Sequence, residues 1–177
     1  MRQIVLLRGI NLGPRNRIAM PALRDQLRDS GFEDVRTYVQ SGNVVLSSDL
    51  SPEPLALECK RAIAEGFGLD IEVLVRARDE LADVVARNPL GKVAINPKRY
   101  QVTFLSAELD RREVERLASL AAGSERVVAM GREVYAWHPD GVARSRLWAR
   151  LGGQSLGISA TSRNWATVEA LLEMADV

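Results

Sequence analysis

Two stretches, Met1 to Arg24 and Gly141 to Val168, hold nine arginines and no aspartate or glutamate, in a chain whose formal net charge is only +1. Guanidinium groups gathered without acidic neighbours suit oxyanions, because the planar fork matches phosphate or carboxylate oxygens with paired hydrogen bonds. The first stretch places Arg8, Asn11, Arg15 and Arg17 in the run Arg8-Gly9-Ile10-Asn11-Leu12-Gly13-Pro14-Arg15-Asn16-Arg17. The second carries Arg144-Ser145-Arg146 and Thr161-Ser162-Arg163-Asn164-Trp165. Between them, Gln40-Ser41-Gly42-Asn43 supplies amides and a hydroxyl that orient a ligand without adding charge. The expected ligand-binding set is Arg8, Asn11, Arg15, Arg17, Gln40, Ser41, Asn43, Arg144, Arg146, Arg163 and Asn164, with an anionic small molecule or a nucleic acid as partner.

Each motif also has a plainer explanation. The glycines and Pro14 turn a chain by themselves, and Ser, Gly and Asn are ordinary turn residues. Against a purely structural loop stands the lack of any nearby acidic residue in sequence to neutralise Arg8, Arg15 and Arg17. The spacing of Gly9 and Gly13 fits neither the P-loop nor the dinucleotide fingerprint. Ser162 or Asn164 is suited to cap the last helix, and Arg163 at a positive helix end calls for an anion. Trp165 reads as core, in phase with Val168 and Leu172. His138, the single histidine, reads as a turn-edge side chain beside Pro139-Asp140-Gly141, since neither a hydrolase triad nor a metal site is visible around it. No cofactor and no metal are called for. If the protein is an enzyme, transfer or hydrolysis at phosphorus is the chemistry arginines would assist, but no general base stands out. A protein-interaction module, with basic loops docking an acidic partner, is the alternative.

Positioning these groups falls to a regular alternation of short strands and helices. Gln3–Leu7 reads as a strand, and a helix begins at Pro21 with Met20, Leu23 and Leu27 on one face and Gly31 beyond its end. Strands over 35–40 and 44–48 flank a Ser41-Gly42-Asn43 turn. A helix runs from Ser51-Pro52 to Phe67, and a strand covers 71–75. After a helix over 79–88 and a linker, the order recurs: strand 100–105, a helix opened by Asp110 and Glu113, a hairpin about Gly131, a short helix over 145–151, a strand over 157–160, and a helix over 164–175. The expected architecture is α+β, two ferredoxin-like (split βαβ) plait subdomains in tandem with additional helices. The boundaries are 1–77 for the first subdomain, 78–99 for a helix and linker, and 100–177 for the second with its C-terminal helix. The basic residues of both are expected to line a shared cleft.

With 46% hydrophobic and 27% charged residues, the 177-residue chain has the composition of a soluble globular protein. Its charge is not concentrated in a polybasic tail, so a bulk electrostatic grip on nucleic acid is not implied. The lone Cys59 falls on an apolar helical stripe and forms no disulfide framework. No apolar run approaches the roughly 18 to 20 residues of a membrane helix, and the reading is a cytoplasmic protein without membrane association.

Leu6-Leu7-Arg8-Gly9-Ile10-Asn11, Tyr38-Val39-Gln40-Ser41-Gly42-Asn43-Val44, the Asp140-Gly141 to Leu147 segment and Ala160-Thr161-Ser162-Arg163-Asn164-Trp165 together closely resemble the bacterial family called domain of unknown function 1697. That family commonly has Gly-Gly-Lys-Asn where Gly13-Pro14-Arg15-Asn16 stands here, and lysine where Arg146 stands. Charge survives both changes, while Pro14 removes one backbone donor. The resemblance implies a two-subdomain α+β protein built from ferredoxin-like plaits and carries no assigned activity.

Overall fold

Val5 and Leu7 alternate with Ile4 and Leu6 along the first strand, and all of them are buried. Successive side chains on a strand point to opposite faces, so this strand is covered on both. In the computed structural model, which describes residues 1–153 and 155–177, it is β1 (Arg2–Leu7). The first run of elements continues with α1 (Met20–Asp29), β2 (Glu33–Tyr38), β3 (Asn43–Ser47), α2 (Pro52–Phe67), β4 (Val73–Ala77) and α3 (Arg78–Arg87). The second comprises β5 (Tyr100–Leu105), α4 (Arg111–Leu120), β6 (Arg126–Met130), β7 (Glu133–Trp137), α5 (Arg146–Gly152), β8 (Ala160–Asn164) and α6 (Trp165–Ala175).

Each run builds one four-stranded antiparallel sheet, in the orders β2-β3-β1-β4 and β6-β7-β5-β8. In both, the strand entering from the hairpin separates the two strands joined by the first helix, which is the split βαβ arrangement. The expected α+β class with tandem split βαβ units is therefore what the chain forms. By compactness the chain divides into Met1–Asp83 with Ala170–Val177, and Val84–Glu169.

In the first unit, Val5, Leu7, Val44, Leu46 and Val75 meet Met20, Leu23 and Leu27 of α1 and Leu55, Cys59 and Ile63 of α2 in one core. These helical residues recur at three- and four-residue spacing, as one buried face requires. α2 ends where Gly68 turns left-handed at φ 65° and returns its N–H to Ala64 O. In the second unit, Leu105, Val134, Ala136 and Ala160 pack on Leu117, Leu147 and Leu151. The other face of this sheet is aromatic: Tyr100 stacks on Trp165 with ring centroids 4.8 Å apart, and Tyr135 gives its hydroxyl to Val84 O at 2.9 Å. Asp110 caps α4 by accepting the Glu113 N–H, as its spacing predicts.

The last strand departs furthest from its expected bounds, while β2 and β4 are each displaced by two residues from theirs. The last strand, expected over 157–160 with a helix cap at Ser162 or Asn164, is instead β8 over Ala160–Asn164, pairing residue by residue with β5 from Leu105↔Ala160 to Gln101↔Asn164, and Asn164 is the residue that caps the helix. Thr161-Ser162-Arg163-Asn164 is polar throughout and shows no apolar alternation, so its pairing with β5 leaves no periodic trace.

Candidate functional site

Ile10 and Ile18 are buried at 1% and 3% exposure and anchor the two ends of the arginine loop in the first unit. Between them, Asn11 sits at φ 56°, a left-handed conformation that asparagine tolerates better than most residues. Its side-chain amide donates to Ile18 O at 2.8 Å and to Gln40 O at 2.7 Å, while its Oδ1 accepts the Ile18 N–H at 2.9 Å. The Asn11 N–H closes on Asn16 O at 3.1 Å. Asn11 thus pins the arginine loop to the β2–β3 turn. Asn43, fully buried, does similar work within the hairpin, donating to Tyr38 O at 3.2 Å and to Ser41 Oγ at 3.1 Å. Gly42, at φ 80°, passes so close to β1 that a Cβ there would lie 2.8 Å from Leu7 Cβ.

Arg8 is not the uncompensated cation that its sequence neighbours suggested. Its Nη1 lies 3.3 Å from Glu72 Oε2, a carboxylate brought alongside when β4 pairs with β1. Arg15, Arg17 and Gln40 differ from it. All are exposed, and their side chains form no hydrogen bond or ion pair among the described residues. Through Asn11, the loop carrying Arg15 and Arg17 and the turn carrying Gln40 are held against each other. Ser41 is exposed and accepts from Asn43.

In the second unit, Arg144 precedes α5 and Arg146 is its first residue, both exposed. Arg163 lies within β8, not at a helix end as its sequence context suggested. It is 9% exposed, with Nη1 donating to Thr161 Oγ1 at 2.7 Å and to Ser162 O at 2.9 Å. Burial disfavours the charged form and pulls its pKa down to about 10. Asn164 accepts the Thr167 N–H at 2.9 Å and so caps α6.

His138 overturns its reading as a turn-edge side chain: it is fully buried. Nδ1 lies 2.6 Å from Glu125 Oε2, and the same oxygen accepts the Ser145 hydroxyl at 2.6 Å. Ser145 Oγ also accepts the Trp148 N–H at 3.0 Å, capping α5. Burial raises the Glu125 pKa, but hydrogen bonds from Ser145, His138 and the Ala122 N–H outweigh it and leave the carboxylate below its usual range. A serine, a histidine and a glutamate converge here without forming a hydrolase triad. In a triad the serine faces one ring nitrogen and the acid the other. Here Ser145 lies 3.3 Å from the nitrogen that faces Glu125, and Nε2 is buried with no partner among the described residues. The arrangement ties the 122–125 loop, the end of β7 and the start of α5 together. Glu125 and Ser145 stand 13 and 7 residues from His138, spacings that follow no motif, so nothing in the residue pattern announces the cluster.

Among the described residues no group of His, Cys, Asp and Glu has the arrangement of a metal site, and no helix is long and apolar enough to cross a membrane.

Two split βαβ units in one chain, the first with a pinned arginine loop, define a tandem-plait α+β protein. The chain belongs to the family described as "Protein of unknown function (DUF1697)", whose model matches residues 1–135. The arginine loop and the Gln40–Asn43 turn fall inside that match, and the 160–165 segment lies beyond it. Among solved structures, the chain is similar to the conserved bacterial protein SP0830 from Streptococcus pneumoniae, with a TM-score of 0.74, 22% identity and 98% of each chain covered. That likeness is one of fold. No curated protein matches the chain.

Proposed function

We propose that this protein binds a phosphate-bearing ligand, a nucleotide or a segment of nucleic acid, through Arg15, Arg17 and Gln40. The observation that carries this reading is the pair of exposed guanidiniums on a loop pinned by Asn11, with no carboxylate among the described residues bound to either. Holding the loop beforehand lowers the ordering cost of binding. Each charge-assisted hydrogen bond to phosphate is worth about 1.5 to 3 kcal/mol. Gln40, held alongside by its own backbone carbonyl, offers a neutral donor and acceptor for a sugar or base edge.

The test is a thermal-shift and titration series on the purified chain with inorganic phosphate, nucleoside mono-, di- and triphosphates, and short RNA and DNA. A ligand that binds only the folded state must raise the melting temperature. Arg15→Glu with Arg17→Glu should abolish the shift and leave the unliganded melting temperature in place, because neither side chain has a partner to lose. An affinity falling steeply with salt identifies nucleic acid; a shallow fall identifies a compact phosphorylated molecule. No shift with any of these ligands, or a shift the double variant retains, overturns the reading.

A second reading, a docking surface for an acidic protein segment, is favoured by Leu12 and Val39. These apolar residues are 81% and 54% exposed on the same two loops, and an apolar anchor beside arginines is a common protein-recognition pattern. Pull-down with Leu12→Ser and Val39→Ser separates the two: these variants should spare nucleotide binding and weaken a protein complex.

A further inference from the structure

Three further cations are far apart in the chain and belong to no patterned run. Arg87 ends α3, Lys92 lies in the loop that follows, and Arg126 opens β6. The fold of the second unit brings them around one cavity of about 720 Å³, with no acidic residue on its wall. Pro89, Leu90 and Val93 supply apolar surface beside them. We infer that this cavity is an anion site separate from the arginine loop. Its chemical class of ligand is a small organic anion, a phosphate monoester or carboxylate joined to an apolar body.

The charge balance supports an anion. Two acidic residues, Glu133 and Glu125, adjoin these cations. Glu133, only 4% exposed, lies 3.6 Å from Arg87 Nη1 and offsets that one charge. Glu125 is committed to His138 and Ser145. Arg126 gives Nη1 to the Glu125 backbone carbonyl at 2.9 Å and keeps the rest of its fork, and Lys92 forms no ion pair or hydrogen bond from its side chain among the described residues. Like charges around a concave wall repel, and a bound anion relieves them.

The size and lining narrow the class. Small-molecule sites run from about 300 to 1,000 Å³ with mostly apolar walls and a few convergent polar groups. Inorganic phosphate alone would leave most of this volume to water, so the ligand carries a body for Pro89, Leu90 and Val93 to contact. The wall is also preformed. Tyr100 donates its hydroxyl to Asn88 Oδ1 at 2.9 Å, Gly91 N–H closes on Asn88 O at 3.2 Å, and Val93 and Ala94 N–H both return to Leu90 O. At Gly91 a Cβ would lie 2.4 Å from Asn88 Nδ2, so a side chain there would displace the Asn88 amide that Tyr100 holds.

Phenyl phosphate, benzoate and inorganic phosphate are the probes, titrated into the full chain while amide resonances are followed by NMR. Phenyl phosphate should shift the amides of Gly91, Lys92 and Val93 and bind more tightly than inorganic phosphate. Lys92→Glu with Arg126→Gln should weaken phenyl phosphate by about tenfold or more, the cost of one lost charge-assisted contact. Arg15→Glu with Arg17→Glu should leave those shifts unchanged, so failure here and failure at the arginine loop are read separately. A wild-type chain whose 88–93 amides do not move, or shifts that survive the Lys92 and Arg126 substitutions in a folded variant, overturns the site. Equal binding of phenyl and inorganic phosphate overturns the apolar body.

Discussion

Glu125 Oε2 and His138 Nδ1 lie 2.6 Å apart, with the imidazole fully buried and the carboxylate side chain 10% exposed. A ring carrying its proton on Nδ1 donates to Glu125 and leaves Nε2 as a bare acceptor, which is the less costly way to bury that unpartnered atom. Because the folded-state pKa of Glu125 is depressed, its stabilisation is complete above the ordinary value of 4.5 and is lost as pH falls through the lower folded value. Glu125→Gln should cost about 2 kcal/mol at neutral pH, where hydrogen bonds to a charged acceptor are lost. It should also flatten the acid limb of the stability curve below about pH 5 relative to wild type. Urea unfolding across that range checks both, and parallel acid limbs would show that the carboxylate's charge does not hold this cluster.

The contrast between Glu125 and Asn11 shows where a sequence informs. The stripes Met20, Leu23, Leu27 and Leu55, Cys59, Ile63 announce their helices because burying one face imposes a helical period. Gly42 and Gly131, at φ 80° and 58°, announce hairpins because the turns need left-handed backbone. The Arg8-to-Arg17 and Gln40-to-Asn43 motifs were visible as polar runs, but whether a given amide serves the backbone or faces solvent depends on contacts between segments far apart in sequence. Asn11 and Asn43 are occupied with carbonyls, Arg8 meets Glu72, and of the expected ligand-binding residues in that unit Arg15, Arg17 and Gln40 keep side chains without a partner among the described residues. Likewise β6–β7 pairing sets Glu125 beside His138, and the end of α3 brings Arg87 to Glu133 of β7, and neither pair obeys a local spacing.

Asn11 is expected to matter more for the loop than its partial exposure suggests. Asn11→Ala removes three side-chain hydrogen bonds and leaves a β-carbon residue at φ 56°. At about 1 kcal/mol net per bond, the loss in unfolding free energy should be about 3 kcal/mol. Asn11→Asp keeps the acceptor for the Ile18 N–H but sets a carboxylate against the Ile18 and Gln40 carbonyls, so it should be at least as destabilising as alanine. Chemical denaturation of both variants gives the comparison; an aspartate variant close to wild type would mean the carbonyl contacts hold nothing.

Gly42 and Gly9 share left-handed backbone, at φ 80° and 70°, and differ in surroundings. A methyl at Gly9 meets nothing within 4 Å, whereas at Gly42 it would lie 2.8 Å from Leu7 Cβ and 3.0 Å from Ile10 Cδ1. Gly9→Ala should therefore cost about 1 to 2 kcal/mol of backbone strain alone. Gly42→Ala should cost about 1 to 3 kcal/mol more, the usual toll of overpacking a filled core. Melting temperatures of the two variants, measured side by side, separate conformation from contact.

Cys59 provides a reporter of the first unit's core. Burial, with a smaller contribution from the Glu58 charge, raises its thiol pKa to about 12. The thiolate is the reactive form, and raising the pKa of an acid depletes it at any pH below that value. At mildly alkaline pH the native protein should react with a thiol reagent far more slowly than a free cysteine, and only through opened molecules. The labelling rate should then rise with denaturant as the unfolded population does, and it should rise in Gly42→Ala, whose clash falls on the Leu7 and Ile10 side of the core that holds Cys59. Fast labelling of the native wild type, independent of denaturant, would mean that α2 opens locally and that the Leu55–Cys59–Ile63 face is held less firmly than its packing implies.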